Sequence, residues 1–122
     1  MAIILDHTVL PAHDHEGSAR FFAEVMGLPY EGPDRHFAPV RVNSALTLDF
    51  IRSEQPLAGH HLAFRVDEAE FEAILRRLQA RGIPYGDDPG SPDNLQTSHP
   101  LAAKGLYFVD PNGHLFEVMT HR

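Results

Sequence analysis

Two histidines and one glutamate stand among aliphatic neighbours in this chain, where a polar group needs a reason. Glu117 lies in Leu115-Phe116-Glu117-Val118-Met119, and the alternation of side chains along a strand groups it with Leu115 and Met119 on one face. His7 shares a face with Ile3, Leu5 and Val9 in the strand-like segment Ile3–Leu10, and His61 shares one with Ala63 and Arg65 in His61–Val66. A carboxylate on an apolar face is costly unless a cation neutralises it, and that cation is either a side chain, with Arg65 the candidate, or a metal ion. Two imidazoles and a carboxylate from separate strands form a donor set that divalent first-row metals accept while keeping positions open. Asp49, in the segment Ala45–Arg52, is assigned a role other than ligand: it orients a histidine by accepting its hydrogen bond, or belongs to a separate ion pair.

The elements that must carry these residues follow from the local pattern. Gly105–Val109 and Leu115–Thr120 are rich in β-branched, aromatic and aliphatic residues, and Asp110-Pro111-Asn112-Gly113 between them predicts a tight hairpin. A helix over about Ser18–Met26 presents Phe22, Val25 and Met26 to the core, capped by Asp14 or Ser18 and stopped by Gly27. Two further strands, about Phe37–Val42 and Ala45–Arg52, flank an Asn43-Ser44 turn. Asp67 has the spacing of an N-cap to Glu70, and Phe71, Ile74, Leu75 and Leu78 recur at helical period before Gly82. Asp87–Lys104 reads as a long loop with one irregular strand near Leu95–Ser98, a candidate lid over a site.

The two halves follow one plan. His7 and His61 are 54 residues apart, and Gly27-Leu28-Pro29-Tyr30 returns as Gly82-Ile83-Pro84-Tyr85 after 55. Each half runs strand, helix, glycine stop, aliphatic-Pro-Tyr and further strands, with an acid in the last strand: Asp49 in one and Glu117 in the other. The expected architecture is α+β, two βαβββ modules over about 1–54 and 57–122, with Ser53–Pro56 as connector, together making one domain over 1–122. By symmetry the first and last strands of each module line one concave surface, bringing His7, Asp49, His61 and Glu117 towards a common centre.

Composition narrows the partners. Lys+Arg of 10 against Asp+Glu of 17 gives a formal net charge of −7, and no basic cluster interrupts it, so nucleic acid and anionic membrane are excluded as main partners. With no cysteine, neither disulfides nor a thiolate metal site is available. The N-terminus lacks the pattern of a signal peptide and no apolar run is long enough to span a bilayer, so the expected location is cytoplasmic. Nine histidines in 122 residues are the unusual count.

The other histidines divide by position. His60 points opposite to His61, and His114, opposite to Glu117, is assigned a structural role. His13, His15 and His121 are expected in solvent. His36 and His99 lie in loops that could overhang a cavity and supply an acid or base, although surface placement is the expectation for both. Arg65 and Tyr107 are further candidates for substrate contact, while Tyr30 and Tyr85 are read as packing residues.

The strand ending in His7, the segment Gly59-His60-His61-Leu62-Ala63-Phe64-Arg65-Val66, and Gly105-Leu-Tyr-Phe-Val-Asp-Pro-Asn-Gly-His-Leu-Phe-Glu117 together resemble the vicinal oxygen chelate superfamily. That group includes glyoxalase I, extradiol ring-cleaving dioxygenases, fosfomycin-resistance thiol transferases, methylmalonyl-CoA epimerase and bleomycin-resistance proteins. The resemblance covers nearly the whole chain. It implies a divalent metal (Fe, Mn, Zn or Ni) on His7, His61 and Glu117, a two-His, one-Glu set similar to that of the dioxygenases and fosfomycin enzymes. Where glyoxalase I commonly has a fourth, glutamate ligand, this chain has the shorter Asp49, which argues against glyoxalase I activity. The expected function is a metal-dependent enzyme on a small substrate that chelates through adjacent oxygens, with dioxygenase-like, lyase-like or thiol-transferase-like chemistry. The competing reading is a non-catalytic binding protein of the bleomycin-resistance type. The resemblance also implies a homodimer, in which His7 comes from one chain and His61 with Glu117 from the other.

Overall fold

The computed structural model describes residues 2–99 and 103–121. The chain divides into two compact units, Met1–Leu57 and Ala58–Arg122. The architecture is α+β, as the sequence predicts.

The first unit contains β1 (His7–Ala12), α1 (His15–Met26), β2 (Phe37–Arg41) and β3 (Thr47–Arg52). Its sheet has the order β1-β3-β2, with β1 parallel and β2 antiparallel to the central β3. The core forms where the alternating apolar faces of the strands meet the apolar stripe of α1: Leu10, Ala38, Val40, Leu48, Phe50, Phe22 and Val25 are all fully buried. Asp14 rather than Ser18 caps α1, its carboxylate accepting the Gly17 N–H at 3.0 Å. Gly27 ends the helix in the left-handed region at φ 74°, where a side chain would be strained. The chain turns from β2 to β3 on Asn43, whose side-chain oxygen accepts the amides of Ala45 and Leu46, both at 2.8 Å.

The first strand lies further along than the predicted Ile3–Leu10. Pairing starts at His7, opposite Thr47, because Thr47 is where its partner β3 begins. Upstream, Ile3, Ile4 and Leu5 pair with no strand among the described residues and are exposed.

The second unit repeats the plan with β4 (His61–Arg65), α2 (Glu68–Ala80), β5 (Gly105–Val109) and β6 (Leu115–Met119) in the order β4-β6-β5, again parallel and then antiparallel to the central strand. Asp67 caps α2 through the Glu70 N–H at 2.8 Å. Phe71, Ile74 and Leu78 of the helix and Leu106, Phe108, Phe116 and Val118 of the sheet are buried. In the hairpin, one Asp110 carboxylate oxygen accepts the amides of Asn112 and His114, both at 2.9 Å, while Gly113 takes a φ of 84°. Among the described residues, regular pairing uses three strands per unit. The additional strand of the module plan is represented in the second unit by a bridge between Gly86 and Tyr107. The strand predicted near Leu95–Ser98 does not form: Leu95 has a φ of 61°, which breaks an extended run, and the segment is tied down by single bonds from Leu95 N to the Tyr85 carbonyl and from Gly105 N to the Thr97 carbonyl.

Candidate metal centre

Glu117 is the third residue of the central strand β6, paired in register with Ala63 of β4 on one side and Tyr107 of β5 on the other. Its carboxylate is nearly buried on the sheet face, and two imidazoles meet it. His61 Nε2 lies 2.9 Å from Oε1, and His99 Nε2 lies 2.8 Å from Oε2. The side chains that meet the carboxylate are therefore histidines rather than Arg65, which is exposed and registers with Met119, two residues beyond Glu117. Burial alone would raise the pKa of Glu117, but the hydrogen bonds from His99 and His61 outweigh it and hold the carboxyl below its ordinary range.

The two imidazoles differ in access. The His61 side chain is 49% exposed, whereas that of His99 is 2% exposed. His99 reaches its place because Gly105 has no side chain: a Cβ there would stand 2.4 Å from His99 Cδ2. Its ring stacks on Tyr107, centroids 5.8 Å apart and planes 15° from parallel, and the Tyr107 hydroxyl lies 3.3 Å from His99 Nε2. Burial and then the neighbouring Glu117 charge push the Tyr107 hydroxyl above its usual value, so it stays protonated as a donor. The surface placement expected for His99 is thus overturned. The signal for it was a glycine opening a strand, which marks a close approach.

His7 occupies in the first unit the position of His61 in the second, first in its strand, and Asp49 occupies that of Glu117, third in the central strand. His7 is exposed, with Nδ1 2.8 Å from Asp6 Oδ2. That hydrogen bond raises its pKa against the opposing effect of desolvation, and the Asp6 and Asp49 charges add to the rise. Asp49 is paired in register with Val9 and Pro39. The other histidines sort by burial. His114 is fully buried and its Nδ1 accepts the His60 N–H at 3.0 Å, a structural use, while exposed His36 rests against the Phe37 ring at 4.3 Å.

The spacing of two donors in the second unit is compatible with neighbouring positions on a divalent cation. With metal–nitrogen bonds of about 2.0–2.1 Å, neighbouring ligands at a right angle stand about 3 Å apart, close to the 2.9 Å between His61 Nε2 and Glu117 Oε1. Among the described residues no group of three or more His, Cys, Asp or Glu is gathered around one such point, so this pair is a partial set. No helix among the described residues is long and apolar enough to cross a membrane.

Solved structures share the fold along the whole chain. Oxidase ChaP-H2 is 34% identical, with a TM-score of 0.92, covering 100% of this chain and 96% of that one. Oxidase ChaP-H1 is also 34% identical, with a TM-score of 0.91, covering 99% and 98%. The fosfomycin resistance protein FosX from Mesorhizobium loti, 19% identical with a TM-score of 0.71 over 100% of this chain and 95% of that one, shares the fold. Metallothiol transferase FosB from Shouchella clausii (strain KSM-K16) is 35% identical over 72 residues, which span 59% of this chain but only 45% of that protein. Residues 4–118 match the profile of the Glyoxalase/Bleomycin resistance protein/Dioxygenase superfamily, and the chain belongs to that superfamily.

Proposed function

We propose that this chain is a divalent-metal-dependent enzyme that oxidises a small substrate presenting two adjacent oxygens, such as a catechol-type diol. The observation that carries the reading is the His61–Glu117 pair, two donors 2.9 Å apart at the accessible edge of a sheet face. The oxidative class is favoured because the likeness to the ChaP-H oxidases runs the length of both chains, whereas that to the thiol transferase stops short of half of it.

In this reading His61 Nε2 and Glu117 Oε1 are ligands and His7 is the third, supplied by a second copy of the chain in a homodimer. Two imidazoles and one carboxylate leave positions for a chelating substrate. The bound metal would supply Lewis-acid stabilisation of developing oxyanion charge and, if redox-active, a meeting point for oxygen and substrate. The protein's own contribution is positional. His99 holds the second carboxylate oxygen, and the buried, protonated Tyr107 hydroxyl hydrogen-bonds the same carboxylate. Asp49 stays outside the ligand set and biases the charge around His7.

The test is reconstitution of metal-free protein with Fe(II), Mn(II), Zn(II) or Ni(II), followed by oxygen-uptake measurements on a catechol series. Fosfomycin with a thiol and methylglyoxal–thiol adducts serve as rival substrates. Oxygen uptake that needs both protein and a redox-active metal is the expected result. Adduct formation on fosfomycin without oxygen uptake would replace the reaction class. Failure to take up any of the four metals would leave a binding protein.

A further inference from the structure

One deeply set polar group of the second unit is not used as a ligand in the metal-centred reading. His99 follows a loop without regular structure, yet its side chain is almost fully enclosed. Three features fix it there. Gly105 supplies the floor, since even a methyl group would collide with the ring. Tyr107 supplies a nearly parallel stacking face. Glu117 Oε2 receives its Nε2 at 2.8 Å, a bond made by the carboxylate oxygen that does not face His61.

A carboxylate with both oxygens free can rotate and bind a cation through one oxygen or two. Here one oxygen is already engaged from the buried side. We infer that His99 is a positioning residue for Glu117: by donating Nε2–H to Oε2 it restrains the carboxylate to present Oε1 alone, with Gly105 as the space that makes this possible. The inference rests on the proposed metal role of Glu117 and adds to it the residue that orients the ligand. Outer partners of ligating groups typically change metal affinity by about 10–100-fold when removed. The same restraint leaves a coordination position for substrate that a two-oxygen carboxylate would occupy.

The prediction separates the hydrogen bond from the shape of the ring. Gln places an amide N–H near the position of Nε2, Asn reaches only to that of Nδ1, and Phe keeps the ring without a donor. Mn(II) affinity of the wild type, His99→Gln, His99→Asn, His99→Phe and Gly105→Ala would be measured by the loss of the free-ion EPR signal. The spectrum of the bound ion reports its ligand symmetry, and thermal melts check folding. His99→Phe and His99→Asn should weaken binding by about 10–100-fold and alter the bound spectrum, while His99→Gln recovers most of the affinity and the wild-type spectrum. Gly105→Ala keeps every donor but displaces the ring, so it should behave like His99→Phe. It decides the matter if His99→Phe does not fold. Wild-type affinity and spectrum in both His99→Phe and Gly105→Ala would overturn the inference. So would equal losses in the Gln and Phe variants, which would mark His99 as packing only. A wild type that binds no Mn(II), Fe(II), Zn(II) or Ni(II) would instead overturn the metal role of Glu117 itself.

Discussion

Asp49 is the register counterpart of Glu117. Each is the third residue of its central strand, paired with the third residue of the strand that opens its unit, Val9 in one case and Ala63 in the other. Equivalent positions have unequal surroundings: Glu117 is buried with two imidazoles on its oxygens, whereas Asp49 is partly exposed and acts on His7 through its charge. Glu117→Gln should therefore lower metal affinity by at least about 100-fold, beyond what loss of an outer partner costs. Asp49→Asn should change it by no more than about threefold, below even that outer-partner range of about 10–100-fold. Calorimetric titration of both variants checks the contrast, and equal losses would place Asp49 among the ligands.

The start of α1 offers a test of local structure independent of any metal. The sequence allows Asp14 or Ser18 as cap, and the structure selects Asp14 through its bond to the Gly17 N–H. Asp14→Ala removes that acceptor and should cost about 1 kcal/mol of stability. Urea denaturation gives the value, and a change near zero would mean that the cap contributes nothing.

His114 shows what a histidine does when it is structural. It is fully buried, and the bond it accepts from the His60 N–H fixes the residue just before β4. His114→Leu keeps much of the volume but strands that amide, so a loss of about 1–3 kcal/mol is expected in the same denaturation assay. A neutral substitution would show that water replaces the imidazole at no cost.

Much of this was legible because two periodicities run through the chain. Alternation exposed Glu117 and His61 as polar groups on strand faces, and the repeat placed Asp49 opposite Glu117 in the plan before any register was known. His99 was not legible in that way, since its loop has no period and its burial depends on Gly105, which is remote until the chain folds back. The late start of β1 has a similar cause. Ile3, Ile4 and Leu5 extend the apolar run, but a strand needs a partner, and β3 begins only at Thr47. Local pattern reports propensity, while pairing decides extent.

Lys104 ties the residue before β5 to α2, its ammonium donating to Glu72 Oε1 at 2.8 Å. That hydrogen bond, with the Glu72 charge, raises the lysine pKa above its ordinary value. A raised folded value means that the stabilisation is complete below the unfolded pKa and disappears as pH rises through the folded one. Lys104→Met should accordingly melt slightly below the wild type at neutral pH, with the gap closing at strongly alkaline pH. Because both side chains are part-exposed, added salt should also narrow it. Melting temperatures across pH and ionic strength test both trends, and a gap indifferent to them would assign the effect to packing of the lysine stem.

A centre shared between two copies makes a prediction that a centre within one chain does not. Let one variant carry His7→Ala and another Glu117→Gln, each unable to bind metal as a homodimer. If His7 of one copy completes the His61–Glu117 pair of the other, a heterodimer of the two variants contains one fully damaged centre and one intact centre. Random exchange of equal amounts makes half of the dimers heterodimers, so about a quarter of the wild-type metal content and activity should return in a symmetric two-site assembly. If each centre drew its ligands from a single chain, every centre in the mixture would lack one ligand and nothing would return. Mixing the variants, allowing exchange and measuring bound metal against time distinguishes the two outcomes. A sedimentation measurement on the same samples establishes that dimers are present to exchange. Recovery near a quarter would place His7 across the subunit boundary, and a flat baseline in an exchanging dimer would remove it from the shared set.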